Sequence, residues 1–376
     1  MTPDLQALVG QPVDAIDAPA LVIDLDAMER NLYRMAEFAR SRGIRLRPHA
    51  KMHKCAALAR LQIEAGAVGL CVQKTAEAER LAGRGITDLF ISNQVLAPAK
   101  LARVAALAQR LHAAGGRLAI AVDSGLGVER LAQAMAAAAA PIDVFIEIDV
   151  GQHRCGVVPG PAAVALVREV QRHPALSYAG LQAYQGSAQH QRSLQQRSAT
   201  IEQVAADVTR VCALLRAEGV EPGLVTGAGT GTFALEAASG VFGELQAGSY
   251  LFMDADYARN QPDPAQPAFE QALFVKAQVI SRSDDHAVCD AGHKSYAVDS
   301  GLPRVQGQDL ELTGASDEAG VLRGPDLPAL GETLWLVPGH CDPTVNLHDA
   351  MIGVRGGLAR GTVECIFGVD ARGALT

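Results

Sequence analysis

"DLFISNQVLAPAKLARVAALAQRLHAAGGRLAIAVD" (residues 88–123) carries two periodicities in one stretch. Its ends, "DLFISN" (88–93) and "RLAIAVD" (117–123), are short apolar and β-branched runs, and the Ala/Leu/Arg-rich stretch between them has a helical pattern. Strand, helix and strand in that order make a parallel crossover, because a chain that returns through a helix re-enters its sheet in the original direction. The alternation extends both ways. Upstream lie "IRLRPHA" (44–50) and "VGLCV" (68–72); downstream lie "IDVFIEID" (142–149), "LSYAGLQAY" (176–184), "GLVTG" (223–227) and "ELQAGSYLF" (244–252). Eight consecutive βα units between about residues 44 and 254 predict an α/β fold built on a (β/α)8 barrel, with a doubly wound open sheet as the second reading.

An earlier strand, "ALVIDL" (20–25), precedes a helix expected to begin at Asp26, with Glu29 completing a capping box. Since the eight barrel strands are accounted for, this strand is expected to pair elsewhere. After about residue 265 the texture changes. "NQPDPAQPAFE" reads as a linker, and "LFVKAQVIS", "HAVCDAG", "AGVLRG", "TLWLVPG", "AMIGVRGG" and "GTVECIFG" follow as strands without helices. The expected division is a barrel over 26–265 and an antiparallel β domain over 266–376 that recruits residues 1–25. The one low-complexity tract is the alanine run at 136–140.

The bulk composition narrows the function. A net charge of −8 gives nucleic acid or an anionic membrane no foothold. The N-terminal stretch has no basic region, its first cation being Arg30, so no secretory signal is expected, and no apolar run is long enough to span a bilayer. Seven cysteines, odd in number and without CxxC spacing, fit reduced thiols and a cytoplasmic location.

Chemistry-bearing residues gather where strands end, the edge at which barrels build active sites. The first strand runs into His49, Lys51 and His53, the second into Gln73 and Lys74, and the third into Asn93. The fifth leads to "EIDVGQHRCG", expected to bring Asp149 near Arg154, and the sixth to "AYQGSAQH" with Tyr184, Gln185 and His190. "TGAGTGT" (226–232) is a Gly-rich turn opening a helix, an arrangement that binds anions through backbone N–H groups. Alone it reads more simply as a tight turn; after strand seven of a barrel it reads as a phosphate site, with Ser249 and Tyr250 as added hydroxyl donors. A lysine opposite a phosphate site suggests pyridoxal phosphate. Lys51 is preferred as the closer to the strand end, with its pKa lowered by neighbouring cations and partial burial, and Lys54 is read as a solvated helix residue. In "LVPGHCDPTVNLHD" (336–349), His340 and Asp342 project to one side of an extended segment, a donor pair that suits Mn2+, Mg2+ or Zn2+.

Taken in order, "RPHAKMHK", "GQHRCGV", "LQAYQGSAQH", "TGAGTG", "ELQAGSYLFMDADY" and "GHCDPTVNLHD" resemble the fold-type III pyridoxal-phosphate enzymes of the D-threonine aldolase group, which includes 3-hydroxy-D-aspartate aldolases and related D-serine dehydratases. The resemblance runs from about residue 17 to the C-terminus. It implies an alanine-racemase-type barrel with a C-terminal β domain, a homodimer, pyridoxal 5'-phosphate and a divalent cation (Mn2+ or Mg2+), and a small D-3-hydroxy amino acid as substrate. It implies Lys51 as the Schiff-base lysine, Arg154 at the cofactor's phenolic oxygen, and a phosphate loop over Gly227–Gly231 that includes Gly229 and Thr230. Gln73, Tyr184, Thr226, Ser249 and Tyr250 complete the expected cofactor contacts. His340 and Asp342 are the implied metal ligands and His190 the implied base. Dehydratase relatives carry His-x-Cys at the metal site; here the cysteine, Cys341, stands one position early, so the spacing is His-x-Asp and implies an aldolase. "AYQG" replaces the usual "AYHG", and Gln185 with Arg259 looks more like 3-hydroxy-D-aspartate aldolases, whose second carboxylate a guanidinium would suit. The expected products are glycine and an aldehyde. The alternatives are a dehydratase giving ammonia and an oxo acid, and a non-catalytic pyridoxal-phosphate carrier.

Overall fold

The computed structural model describes residues 5–138 and 140–376, so residues 1–4 and Ala139 of the alanine run lie outside the described residues. In chain order the strands are β1 (Ala20–Asp24), β2 (Arg45–Leu46), β3 (Leu70–Val72), β4 (Asp88–Ile91), β5 (Arg117–Val122), β6 (Asp143–Glu147), β7 (Ser177–Ala183), β8 (Leu224–Gly227) and β9 (Glu244–Leu245). They continue with β10 (Leu273–Arg282), β11 (Ala287–Cys289), β12 (Arg304–Val305), β13 (Glu311–Ala315), β14 (Gly320–Arg323), β15 (Thr333–Val337), β16 (Ala350–Arg355) and β17 (Thr362–Gly368).

β2 to β9 form one parallel sheet in the order β2-β9-β8-β7-β6-β5-β4-β3. Its two edges meet: His49 bridges Cys71, and Val68 and Cys71 donate to the carbonyls of Leu46 and Pro48 at 2.9 Å. The sheet is therefore a barrel and not the doubly wound alternative. Alternation along the strands sorts the side chains. Cys71, Phe90, Ala119, Ala121 and Phe145 fill the interior, with the Phe90 and Phe145 rings 4.8 Å apart, while Leu70, Val72, Leu89 and Ile91 face the surrounding helices.

The other strands form a nine-stranded sheet in the order β11-β14-β13-β12-β15-β10-β1-β16-β17. The last residues of β10 also pair with β11 across a bulge, so β10 to β15 close on themselves. β1 joins this sheet, antiparallel to β10 as expected of a β meander but parallel to β16. The helix Leu25–Ser41 then carries the chain to β2, and its buried Leu25, Met28, Leu32 and Met35 pack in one core with Leu46 of the barrel and Leu273 of the second sheet.

Some expectations fail for identifiable reasons. The helix starts at Leu25, so Asp24 is its cap, accepting the Ala27 amide at 3.1 Å. Asp26 and Glu29 instead hold the Arg355 guanidinium at 2.6–3.0 Å. β2 keeps only two of the seven residues expected, because Pro48 offers no N–H and the chain winds into a 3-10 turn over Ala50–Met52. β9 also stops after two residues. A side chain at Gly248 would meet the His49 carbonyl at 2.6 Å, and Ser249–Leu251 turn into another 3-10 segment. β12 and β13 were not foreseen. Among the described residues, no helix is long and apolar enough to cross a membrane.

Candidate active site

Lys51 stands in the 3-10 turn after β2. The turn is capped by His49, whose Nδ1 accepts the Lys51 amide at 3.2 Å, and the side-chain Nε2 of Gln73 lies 3.0 Å from the other ring nitrogen. Burial and the neighbouring lysine hold His49 well below the usual histidine range, so it is neutral. The half-exposed Lys51 side chain borders a cavity of about 290 Å3 at the C-terminal ends of the barrel strands. Gln73, Arg154, Tyr184, Gly229, Thr230 and Ser249, all expected from the sequence, line it. His49, also named among the strand-end residues, lines it, as do Ser92, Gln182, Gln246 and Tyr257, to which the sequence assigned no role.

The residues present fit a cofactor with an aldehyde at one end and a phosphate at the other. Gly229, Thr230 and Ser249 are buried on the cavity wall, and among the described residues their amides donate to no protein acceptor. Unsatisfied buried N–H groups are costly unless an acceptor meets them, and a phosphate does so. Other members of the expected set serve differently. Thr226 is not on the cavity wall and donates to Glu244 at 3.0 Å, and a side chain on Gly227 would strike the Ala183 carbonyl at 2.2 Å. The Gly231 amide donates to Gln189 Oε1 at 2.8 Å. The Tyr250 hydroxyl is not a cavity donor: it is fully buried and bonds Gln62 at 3.1 Å, because the turn at Ser249–Leu251 points it into the core.

Beside Lys51 stand two side chains from the segment after β15, which is not extended as expected: His340 caps the short helix Cys341–Val345 and Asp342 lies in its first turn. Asp342 contacts the Lys51 ammonium directly, and His340 Nε2 is 3.9 Å from Asp342 Oδ1. Asp299 Oδ2 lies 2.7 Å from His340 Nδ1, so the Nε2 lone pair is left available. Burial pushes the Asp342 carboxyl up, but Lys51 and His340 outweigh it and hold it below the ordinary carboxylate range. The same pairing corrects the expected pKa of Lys51. Burial lowers it, yet the Asp342 carboxylate, and not a cation, is the dominant neighbour, and the net direction is upward. Among the described residues no three His, Cys, Asp or Glu side chains converge as ligands. His340 and Asp342 are the residues that would hold a divalent cation here, and it would supply a Lewis acid for a substrate oxygen. Cys341 is fully buried and bonds Asp342 Oδ1 at 3.4 Å; it is not on the cavity wall.

Lys54 is not a solvated helix residue. It sits at φ +50° before the helix Ala56–Glu64 begins, is buried, and pairs with Glu77, which also accepts the Gln73 and Lys74 amides at 2.9 and 3.0 Å. Asp149 and Arg154 take different partners: Asp149 accepts the Gly151 and His153 amides, while Arg154 lies 3.8 Å from Glu147 and over the Tyr184 ring. Gln185 is buried and bonded to the Val150 carbonyl and to Ser187, so its amide holds the loop. His190 stands outside the cavity lining with its ring against Tyr257 and Nδ1 2.7 Å from Asp256 Oδ2. Arg259 is engaged by the same Asp256 and by the Ser300 carbonyl at 2.9 Å. Asp256, Asp299 and Gln189 are supporting residues to which the sequence assigned no role; Asp256 lies inside the quoted "ELQAGSYLFMDADY" and Gln189 inside "LQAYQGSAQH", while Asp299 lies in no motif.

The model of the "Alanine racemase, N-terminal domain" family matches residues 23–256, and that of the "Putative serine dehydratase domain" matches 272–354. A D-threonine aldolase of Arthrobacter sp is 43% identical over 97% of this chain and 95% of its own. A 3-hydroxy-D-aspartate aldolase of Paracoccus denitrificans (strain Pd 1222) is 42% identical over 98% and 96%. The crystal structure of D-threonine aldolase from Filomicrobium marinum superposes with a TM-score of 0.94 at 47% identity, covering 98% of this chain and 99% of that one. The D-threo-3-hydroxyaspartate dehydratase of Delftia sp. HT23 follows with a TM-score of 0.82 at 28% identity over 94% and 99%. With the family model spanning every barrel strand and full-length relatives extending the match through the second sheet, the chain belongs to the alanine racemase N-terminal domain family.

Proposed function

We propose that this protein is a lyase that cleaves D-3-hydroxy-α-amino acids, such as D-threonine or 3-hydroxy-D-aspartate, into glycine and acetaldehyde or glyoxylate. One observation carries the reading: the barrel's strand-end lysine lines a cavity that unpaired amides also line, and the same lysine contacts Asp342 of the His-x-Asp pair. The full-length similarity to aldolases supports it. Pyridoxal phosphate, when bound, supplies an electron sink for the pair released as the Cα–Cβ bond breaks. A divalent cation, manganese or magnesium, supplies a Lewis acid for the β-hydroxyl oxygen.

The chain's own residues do the rest. Lys51 anchors the cofactor, the Gly229, Thr230 and Ser249 amides hold its phosphate, and Arg154, set over Tyr184, provides a fixed cation on the cavity wall. His340 and Asp342 are the residues that would hold the cation. His190 accepts the hydroxyl proton at Nε2, directly or through a water, as the hydroxyl becomes the aldehyde carbonyl. The cleavage electrons stay with the Cα fragment, which gains a proton and leaves as glycine. A homodimer and a cytoplasmic location belong to the same reading, checked by sedimentation and by cell fractionation.

The test is product analysis with pyridoxal phosphate and Mn2+ or Mg2+, offering D-threonine and 3-hydroxy-D-aspartate separately. Glycine with the matching aldehyde supports the proposal; ammonia with an oxo acid would make the protein a dehydratase. Stripping the metal should stop turnover and leave the cofactor bound. Covalent cofactor on Lys51→Ala would refute the choice of lysine.

A further inference from the structure

We propose that Asp256 is a positioning residue for His190, fixing the imidazole in the tautomer whose Nε2 is free to take a proton, and that the turn bearing Asp256 holds that imidazole in register with His340 and Asp342. The inference rests on the aldolase reading, in which His190 is the base.

Asp256 is 4% exposed and precedes the 3-10 turn Tyr257–Arg259. Its Oδ2 lies 2.7 Å from His190 Nδ1, and its Oδ1 is occupied by Arg192 and Arg259. Burial raises the Asp256 carboxyl, but hydrogen bonds from Arg192, His190 and Arg259 outweigh it and keep it ionised. An ionised carboxylate accepts and cannot donate, so the hydrogen of a neutral His190 must sit on Nδ1 and the lone pair on Nε2. The Tyr257 ring, stacked 6.5 Å from the imidazole centroid, limits its rotation and reaches the cavity wall itself.

The turn is also tied to the segment bearing the candidate cation ligands. The Ala255 and Asp256 amides donate to the Pro338 and Gly339 carbonyls at 2.9 and 3.2 Å, and the Cys341 amide donates to Asp254 Oδ2 at 3.1 Å. These bonds bracket His340 on both sides. Arg259 extends the frame, reaching the Ser300 carbonyl next to Asp299, which orients His340. One hydrogen-bonded frame thus supports the imidazole that would take the proton and the pair that would hold the hydroxyl oxygen. A shift of about 1 Å between such partners is enough to cost on the order of 10²-fold in rate.

A merely structural knot of charges would look similar, so the experiment separates the two. 15N-histidine NMR of the resting enzyme, with His190→Gln supplying the assignment, should show hydrogen on Nδ1 of His190. In Asp256→Asn, whose carboxamide can pair with either tautomer, the Nε2–H form should appear. With cofactor titration unchanged, Asp256→Asn should lower kcat on D-threonine by about 10²-fold with KM within about threefold, the range of a lost general base. In a His190→Gln background the same change should have no further effect, because its route is gone. Hydrogen on Nε2 in the wild type, an unaltered tautomer in Asp256→Asn, or an equal loss in both backgrounds would overturn the proposal. If the wild type gives no glycine, the aldolase reading fails, while the tautomer measurement still decides the role of Asp256.

Discussion

Replacing Lys54 by methionine tests whether the second lysine after β2 works as a buried strut. Both members of the Lys54–Glu77 pair are nearly inaccessible, at 9% and 4% side-chain exposure. Methionine keeps most of the buried stem and the backbone at the same φ, so the change isolates the ammonium. Removing one partner of a buried ion pair leaves the other charge unmatched and costs about 3–5 kcal/mol. Glu77 retains the Gln73 and Lys74 amides, which places the expected loss at the lower end, about 3 kcal/mol. With an unfolding entropy of about 2 cal/mol/K per residue, 376 residues lose about 1.3 °C per kcal/mol, so Tm should fall by about 4 °C. The assay is thermal unfolding of the cofactor-loaded protein, run as a cycle with Glu77→Gln. Because glutamine still accepts from the two amides, the double variant should lose less than the sum of the single losses. A Tm change under 1 °C, or simple additivity, would refute the strut. Borohydride reduction and peptide mapping of the same variant should still place the cofactor on Lys51.

Burial raises the Glu236 carboxyl to about 7, and among the described residues its Oε2 has no partner. The folded state therefore holds a proton that the unfolded chain releases near 4.5, and stability falls as pH rises through that window, by about 3 kcal/mol at pH 8. Glu236→Gln should be little changed at pH 5 and more stable than wild type at pH 8; equal Tm differences at both pH values would contradict this. Gly229→Ala would bring a Cβ to 2.5 Å from Gln189 Cδ, displacing the side chain that holds the Gly231 amide, and should weaken cofactor binding at least about tenfold in a titration of the apo-protein. Lys276 donates to the carbonyls of Val13, Asp14 and Ile16 at 2.6–3.3 Å. Lys276→Met should cost about 2–3 kcal/mol and speed hydrogen exchange in residues 13–16, and unchanged exchange would refute the anchor.

What the sequence made legible follows the physics of each feature. The barrel is readable because a strand buried on both faces must be a short apolar run, and the helices between must carry the longer period. β12 and β13 escaped for the converse reason: two residues, Arg304–Val305, carry no periodicity, and "ELTGA" alternates only once around Leu312. The site's inner residues were legible as strand-end motifs. Its supports were not, because a hydrogen bond such as His340 to Asp299 joins side chains 41 residues apart and leaves no local spacing to detect. The same limit misplaced Lys54. Its basic, helix-adjacent context says solvent, and only the fold reveals that Glu77, 23 residues on, is folded back beneath it.

The Lys51–Asp342 contact also bears on why two sheets are needed. A barrel end alone supplies a lysine and a phosphate cradle, which would suffice to carry a cofactor. The imidazole and carboxylate beside that lysine come from the segment between β15 and β16, and the turn 254–256 fixes that segment to the barrel through two backbone bonds before His340 and the Asp254 carboxylate after it. β1 and the helix Leu25–Ser41 reinforce the junction, since one core contains Leu25, Leu46, Leu251, Leu273 and Val345. The two halves are thus packed as a single body at the place where their reactive groups meet. The segment after β15 brings a carboxylate against the lysine and an imidazole beside it, groups that cofactor retention alone does not require.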